Sequence, residues 1–225
     1  MKSFKRSFLT ISILLFFISA CSTTQQAYLQ NIEMYFESDT AVTVSNDKIK
    51  LSTADLIYVK NGDRPIATMA LAFIENDQYK WLSRDGVMFI TKNGRLVQTV
   101  GLEKNLIYVS DLSTDPLALS QANNKEMQWN RVIDTEHGDY GANLSSQFST
   151  INDELIWVQD EQFKTIKHIE SVHYQSEKYG EDIWTNTFWF HHESGQLLKS
   201  SQKVSPQSET VEITYLSRAV RLLEQ

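Results

Sequence analysis

Residues 79–100 read YKWLSRDGVMFITKNGRLVQTV, and this stretch decides the predicted fold. Two turn dipeptides, Asp85-Gly86 and Asn93-Gly94, separate three short segments that are rich in β-branched and aromatic residues. Such dipeptides between such segments are strong local signals for β-hairpins. The turns recur about every eight residues, a spacing typical of consecutive antiparallel strands. The stretch therefore predicts a meander of three strands.

The same pattern continues on both sides of this stretch. Asn61-Gly62 is a further two-residue hairpin signal, and Asp115 is predicted to cap a short helix that begins at Pro116. The other segments predicted as strands are 41–44, 49–51, 54–60, 65–75, 129–134, 147–150, 154–158, 163–174, 183–191, 196–204 and 209–216. We therefore predict an all-β fold, mainly antiparallel, built as a meander-like curved sheet or a barrel-like sheet with one or two short helices.

One predicted strand carries aromatic side chains on both faces. Side chains alternate between the two faces of a strand. One face of this strand therefore carries Trp184, Asn186, Phe188 and Phe190, and the other carries Thr185, Thr187, Trp189 and His191. The alternation predicts a strand that is covered on both sides or lines a cavity.

The N terminus has the three parts of a secretory signal peptide. A basic start is followed by an apolar run over residues 8–18, which is too short to span a bilayer, and the run ends in Ile18-Ser19-Ala20-Cys21. These four residues resemble the bacterial lipobox, and Cys21 is the only cysteine in the chain. Cys21 is therefore the predicted lipidation site, carrying fatty acyl chains such as palmitate. A plain secretory signal with an incidental cysteine is the alternative.

The anchor sets the predicted domains and location. Residues 1–20 are the lipoprotein signal peptide, residues 21–40 the lipid-anchored tether and lead-in, and residues 41–225 a single β-rich periplasmic domain. Several acyl chains on one cysteine anchor a protein stably to a membrane. Ser22, in place of aspartate, favours the outer membrane, with the body facing the periplasm.

The charge and the motifs exclude several function classes. The formal net charge is −7, and removal of Lys2, Lys5 and Arg6 with the signal peptide leaves about −10. An acidic body does not suit nucleic acid, whose binding depends on Lys and Arg. The five histidines lack metal-ligand spacing, and no hydrolase or nucleotide-binding motif occurs. We predict no metal, no cofactor and no catalytic residue.

Five residues are candidates for contacts with a glycan or a protein partner: Trp189, Trp81, Arg95, Asn186 and Gln202. Indole rings stack on the C–H faces of sugars, amides bond to hydroxyls, and Arg95 could hold a sugar carboxylate. Core packing is the alternative for each tryptophan. For Arg95 the alternative is an ion pair with a nearby acid of the chain.

Three blocks of sequence carry a resemblance to a known family: residues 81–102 (WLSRDGVMFITKNGRLVQTVGL), Asp115-Pro116-Leu117, and residues 184–206 (WTNTFWFHHESGQLLKSSQKVSP). Together with the lipobox and the length, the chain resembles the YjbF/GfcB family of outer-membrane lipoproteins over roughly residues 28–216. The resemblance implies a predominantly β, antiparallel fold and a role in exopolysaccharide or group 4 capsule production. It brings no established catalytic site.

The leading hypothesis is a non-enzymatic accessory lipoprotein that helps to assemble or export a surface polysaccharide. Its expected partners are the membrane, through the lipid on Cys21, the polysaccharide, and other periplasmic or outer-membrane export proteins. One alternative is a polysaccharide-modifying enzyme, suggested by the many carboxylates. Another is a carrier of lipid or lipoprotein, suggested by the two-faced aromatic strand at residues 184–190.

Overall fold

The computed structural model describes residues 44–119, 127–136 and 138–224. The predicted signal peptide, the lipidation site Cys21, the tether and the first part of the predicted strand 41–44 lie outside these residues. The predicted domain boundaries stay predictions. Within the described residues, no helix is both long enough and apolar enough to cross a lipid bilayer.

Twelve strands and three short helices make up the described residues. The strands are β1 (Leu56–Asn61), β2 (Ala67–Glu75), β3 (Gln78–Ser83), β4 (Met88–Lys92), β5 (Arg95–Val100), β6 (Leu106–Val109), β7 (Gln128–Thr135), β8 (Ala142–Val158), β9 (Glu161–Ser176), β10 (Gly180–His191), β11 (Leu197–Gln202) and β12 (Val211–Thr214). The helices are α1 (Asn46–Leu51), α2 (Pro116–Leu119) and α3 (Leu216–Leu222), with a 3₁₀ turn at Leu112–Thr114. The predicted all-β, antiparallel fold is confirmed.

All twelve strands form one antiparallel sheet, which curls until its two edges approach each other. The order is β5-β4-β3-β2-β1-β12-β11-β10-β9-β8-β7-β6, so strands β5 and β6, consecutive in the chain, are the two edges. In a flat sheet they would lie about 50 Å apart, because neighbouring strands are about 4.8 Å apart. The connection between Val100 and Leu106 can span only about 20 Å. The short connection therefore requires a nearly closed, barrel-like sheet.

Side chains join the two edges where the sheet nearly closes. The backbone N–H of Leu106 on β6 donates to Oγ1 of Thr99 on β5 at 2.9 Å. Asn105 accepts a hydrogen bond from the N–H of Leu102 at 3.0 Å and fixes the connecting loop. The edges are thus held by specific hydrogen bonds in place of a continuous backbone ladder.

The hairpin signal at Asn93-Gly94 is confirmed as a two-residue turn, whereas at Asn61-Gly62 strands β1 and β2 form the hairpin through a longer connection. Lys92 pairs with Arg95 across a two-residue turn, and both turn residues have positive φ, as a type I′ turn requires. Asn61 instead continues strand β1 beside β12, and the N–H of Gly62 bonds to the carbonyl of Thr210 at 2.9 Å. The ladder with β12 extends strand β1, so a longer connection leads to β2.

A helix replaces the strand predicted at residues 49–51. Ser45 caps this helix, α1, through a hydrogen bond from the N–H of Lys48 to its Oγ at 3.4 Å, and Asp47 lies in the first turn. An oxygen-bearing cap and an acidic first turn both favour a helix. Only Ile49 of the helix is buried, so the short apolar run did not mark a strand.

The core lies inside the curled sheet. Residues 142–149 of β8 alternate strictly between buried and exposed, so one face of the strand points inward. The largest fully buried side chains are Trp81, Trp129, Tyr174, Tyr215, Phe89, Phe188, Ile57, Met69, Leu96, Leu106, Ile133 and Leu198. On β10, the face with Trp184 and Phe188 points into this core, while Thr185 on the opposite face is exposed. The strand is therefore not covered on both sides by the described residues.

Candidate functional site

Four charged side chains meet inside the sheet and form what we call the buried charge cluster: Arg95, Asp115, Arg131 and Glu170. Arg95 begins β5, Asp115 precedes α2, Arg131 lies on β7 and Glu170 on β9. All four are at least 94% buried. Two positive and two negative groups balance, so the cluster carries no formal charge. Burial of charge is costly unless each group is paired and hydrogen-bonded, and here each is.

Arg95 links the two halves of the sheet. Its Nε and Nη2 donate to the two carboxylate oxygens of Asp115 at 2.5 and 3.1 Å, a bidentate pair. Its Nη1 donates to Oε2 of Glu170 at 2.8 Å. Because β5 is one edge of the sheet and β9 belongs to the other half, Arg95 ties the two across the interior.

Glu170 accepts hydrogen bonds on both carboxylate oxygens. Oε2 accepts from Asn186 Nδ2 at 3.0 Å as well as from Arg95. Oε1 accepts from Ser146 Oγ at 2.8 Å and lies 3.0 Å from Nη1 of Arg131. These partners come from four strands, and Glu170 lies on a fifth, so the carboxylate fixes their relative positions.

Trp129 packs against both guanidinium groups of the cluster. The guanidinium carbons of Arg95 and Arg131 lie 4.3 and 4.2 Å from the centre of its ring. The face of an indole attracts cations, most strongly where water is excluded. Its Nε1 donates to the carbonyl of Asp111 at 3.1 Å, which holds the ring in place.

The cluster perturbs the pKa values of its members. Burial would raise the pKa of Glu170, but the charges of Arg95 and Arg131 outweigh it and lower the pKa to about 2. Burial would lower the pKa of Arg95, but the charges of Glu170 and Asp115 raise it. For Arg131, the lowering of the pKa by burial outweighs the effect of Glu170, and the like charge of Arg95 lowers it further, so the pKa falls to about 10. Both arginines and Glu170 are therefore charged at neutral pH.

The stability of the protein should depend on the ionisation of Glu170 in acid. A carboxyl group whose pKa is lowered by folding stabilises the folded state above its ordinary pKa, and this stabilisation is lost as the pH falls through the folded pKa. The ordinary value is 4.5 and the folded value about 2. The native protein should have a higher free energy of unfolding than a Glu170→Gln variant at neutral pH. We expect this difference to shrink as the pH falls from 4.5 towards 2. Urea unfolding at pH 7, 4.5 and 3 measures this, and a constant difference would contradict it.

Three of the five predicted contact residues converge on this cluster. Arg95 is only 3% exposed and pairs with acids of its own chain, which is the alternative considered for it. Asn186 bonds to Glu170 and accepts the N–H of Lys203 at 2.8 Å. Gln202 accepts the N–H of Leu96 and donates to the carbonyl of Gly94, each at 2.9 Å. A glycan contact at these residues stays a prediction.

The two predicted tryptophans lie on opposite sides of the sheet. Trp81 is 1% exposed, donates to Thr91 Oγ1 at 3.0 Å and packs in the core. Trp189 is half-buried on the outer face, where its Nε1 donates to Oε1 of Glu154 at 3.2 Å. The ammonium groups of Lys167 and Lys199 lie 5.4 and 5.7 Å from its ring centre. Of the five predicted residues, Trp189 alone is accessible from the outside.

Sequence reasoning missed Arg131 and Ser146, although the chain carried a signal for both. Arg131 stands between Trp129 and Ile133, so the two-residue period of a strand places it on their apolar face. Ser146 stands in the same way between Leu144 and Phe148. A polar residue on the buried face of a strand needs a hydrogen-bond partner. The position of Arg131 and Ser146 among apolar residues of the same face therefore indicated buried polar contacts.

The cluster leaves little space for a ligand. The cavity beside it, lined by Arg95, Arg131, Asn186 and Gln202 among others, has a volume of about 20 Å³. Ligand pockets usually measure about 300–1,000 Å³. Within the part of the chain that the structure describes, no three His, Cys, Asp or Glu side chains are placed to hold a metal ion.

A family model described as "Group 4 capsule polysaccharide lipoprotein gfcB, YjbF" matches residues 29–216. The match includes all three blocks that carry the resemblance, and it confirms that resemblance. It covers every strand and every residue of the buried charge cluster.

Two relatives and one crystal structure agree with this match. "Uncharacterized lipoprotein GfcB" of Escherichia coli (strain K12) is 30% identical over 94% of this chain and 98% of its own length. "Uncharacterized lipoprotein YjbF" of the same organism is 26% identical over 90% and 93%. The crystal structure of the hypothetical lipoprotein YmcC from Escherichia coli (K12) has a TM-score of 0.70 and 31% identity, covering 77% of this chain and 88% of that one.

Proposed function

The chain belongs to the YjbF family of group 4 capsule polysaccharide lipoproteins, and we propose that it is a non-enzymatic accessory factor in the assembly or export of an exopolysaccharide or capsule. The family match over residues 29–216 is the observation that carries this proposal. In this role the protein binds glycan, protein components of the export machinery, or both.

The proposed location is the periplasmic side of the outer membrane. Cys21 carries the lipid, and the apolar run before it is removed as a signal peptide. The sequence Ile18-Ser19-Ala20-Cys21 supports this, as do the lipoprotein names of both relatives.

The chemistry of the cluster supports a non-enzymatic role. A glycosidase needs a carboxyl group with a raised pKa as its proton donor. The best enclosed carboxyl group in the described residues, Glu170, has its pKa lowered to about 2 and both oxygens bonded to the protein. At neutral pH this group holds no proton to donate, and its position favours a structural task.

Deletion of the gene tests the proposed function. In a strain grown under conditions that induce the polysaccharide, we expect the deletion to reduce the polymer at the cell surface and in the medium. The native gene should restore it, whereas a Cys21→Ser gene should not, because the thiol that carries the acyl chains is missing. Polymer is measured by uronic acid and total hexose assay after size fractionation.

Fractionation of the complemented strains provides the control. The native protein should label with radioactive palmitate and sediment with membranes, and the Cys21→Ser protein should do neither. Unchanged polymer in the deletion strain would contradict the proposed function. An unlabelled native protein, or a Cys21→Ser protein that still sediments wholly with membranes, would contradict the proposed anchor.

A further inference from the structure

The outer face of strands β7 to β10 carries an unusual concentration of amide and hydroxyl side chains. Eight exposed residues define what we call the amide–hydroxyl patch: Gln128, Asn130, Asn143, Ser145, Gln147, Ser171, Gln175 and Thr185. They lie side by side because the strands are in register: Gln128 opposes Gln147, Gln147 opposes Ser171, and Ser171 opposes Thr185. The next row runs through Asn130, Ser145 and His173.

Most of these side chains have no partner among the described residues. Gln175 lies 3.5 Å from Glu181. Among the residues that the structure describes, the other seven make no side-chain hydrogen bond or ion pair, although their strands are fully paired. An amide offers two donors and two acceptor lone pairs, and a hydroxyl offers both functions. The patch therefore presents many hydrogen-bonding groups that are available to water or to a ligand.

Charge is nearly absent from this face. Across the three rows on β7 to β10, Glu181 is the one acidic side chain, and no Lys or Arg occurs. About a quarter to a third of an ordinary protein surface is charged. The same outer face elsewhere carries ion pairs, such as Lys199 with Glu212 at 3.4 Å and Lys167 with Glu154 at 3.0 Å. The lack of charge is therefore local to the patch.

Two shallow grooves cross the patch and meet at its centre. One has a volume of about 280 Å³, extends over Asn143 and Gln175, and is also lined by Asp111 and by Arg131, which is 94% buried and paired with Glu170. The other, of about 300 Å³, extends over Gln147 and Ile183. Asn130, Ser145 and His173 line both grooves, so the two form a continuous track across the strands. Each groove reaches the lower end of the size range of ligand sites.

We infer that the amide–hydroxyl patch binds an uncharged segment of a polysaccharide chain. This inference rests on the proposed function and assigns it a surface and a substrate class. Sugar hydroxyls both donate and accept, which matches amides and hydroxyls that lack partners. Ile183, which is 72% exposed at the edge of the patch, offers an apolar contact for the C–H face of a sugar.

The electrostatics of the patch select a neutral ligand. Recognition of sugar carboxylates or phosphates uses Arg or Lys in charge-assisted pairs. The patch contains neither, and Arg131, which lines one groove, is buried and already paired with Glu170. The formal charge of about −10 on the predicted mature chain would also repel a polyanion at long range. Removing water from uncharged polar side chains costs less free energy than removing it from ions. A neutral glycan can therefore displace water from the patch at a small cost in free energy.

Two matched substitutions on strand β8 test the inference. Ser145→Glu places a bulky charge at the centre of the track, and Ser149→Glu places the same charge on the same face of the same strand, outside both grooves. Both sites are exposed, so neither change should alter folding by more than about 0.5 kcal/mol. Thermal unfolding followed by circular dichroism checks this.

The probe is the purified exopolysaccharide of the producing strain, used intact and after chemical reduction of its carboxylates to alcohols. Binding to the full mature lipoprotein in detergent is measured by affinity electrophoresis. We expect the native protein and Ser149→Glu to bind equally well, and both to bind the reduced polymer at least as tightly as the intact one. Ser145→Glu should bind at least about tenfold more weakly, because the patch loses several hydrogen bonds of about 1 kcal/mol each.

Several results would overturn the inference. These are equal binding by Ser145→Glu and the native protein, equal weakening by both variants, loss of binding on carboxylate reduction, and no binding by the native protein. A change of oligomeric state in Ser145→Glu, seen by light scattering without a change in polymer binding, would assign the patch to contacts between copies of the chain. A deletion strain with normal polymer, together with patch-dependent binding in vitro, would reject the proposed function and keep the inference.

Discussion

Glu170→Gln should lower the free energy of unfolding by about 3–5 kcal/mol, the usual cost of removing one partner from a buried ion pair. The amide keeps the shape of the side chain but carries no charge, so Arg131 loses its carboxylate partner at 3.0 Å. Its Nε2 amide group would also face donors that now bond to the carboxylate, either those of Arg95 and Asn186 at Oε2 or that of Arg131 at Oε1. Since small and medium-sized domains are stable by only about 5–15 kcal/mol, this loss is a large share of the total.

Glu161→Gln is the matched control, because it makes the same change at an exposed position of the same strand. It should change the unfolding free energy by no more than about 0.5 kcal/mol. Urea unfolding followed by tryptophan fluorescence at pH 7 compares the variants with the native protein. Equal midpoints for all three would show that the cluster adds nothing to stability.

Gly94→Ala should destabilise the protein by about 2–4 kcal/mol, through two causes that add. Gly94 has a φ of +86°, a conformation that costs an alanine about 1–2 kcal/mol. A Cβ atom at this position would also lie 2.1 Å from Cδ2 of Leu197, so the side chain or the turn must move. Arg95 follows Gly94 directly, and the carbonyl of Gly94 accepts a hydrogen bond from Gln202. A shift of the turn would therefore also disturb the buried charge cluster.

Gly86→Ala separates these two causes. Gly86 has nearly the same φ, +82°, but nothing lies within 4 Å of a Cβ built there. Its substitution should therefore cost only the backbone strain of about 1–2 kcal/mol. Thermal and urea unfolding of the two variants measure the difference. A cost for Gly86→Ala equal to that for Gly94→Ala would show that the contact with Leu197 is unimportant.

Much of the fold could be predicted because its strands pair locally. The Asn93-Gly94 turn and the two faces of β10 both depend on residues that are close in the chain; the turn is confirmed, and one face of β10 is buried, although the predicted cover on both faces is not found in the described residues. Prediction failed where a distant strand decided the outcome. The Asn61-Gly62 signal marks the hairpin of β1 and β2 but not its turn, because Asn61 and Gly62 bond to Val211 and Thr210, about 150 residues away in the sequence.

The candidate site shows the same division. The sequence singled out Arg95, Asn186 and Gln202 as possible glycan or partner contacts. In the structure Arg95 and Asn186 both bond to Glu170, and Gln202 holds the backbone on either side of Arg95. Their partners Arg131 and Ser146 were missed, because a charged residue in a strand does not reveal which acid it will meet. The patch was also missed, since its residues come from four strands whose register a sequence does not state.

By itself, the sequence determined the strand character of the chain, its hairpin turns, the likeness to its family and the cysteine that predicts a lipid anchor. These depend on backbone preferences and motifs that act over a few residues. Only the tertiary structure decided that the sheet curls until β5 and β6 meet, and that four charges neutralise one another inside it. The physical reason is that a buried charge is stable only beside its counter-charge, and the short connection from Val100 to Leu106 brings the two halves of the sheet within that distance.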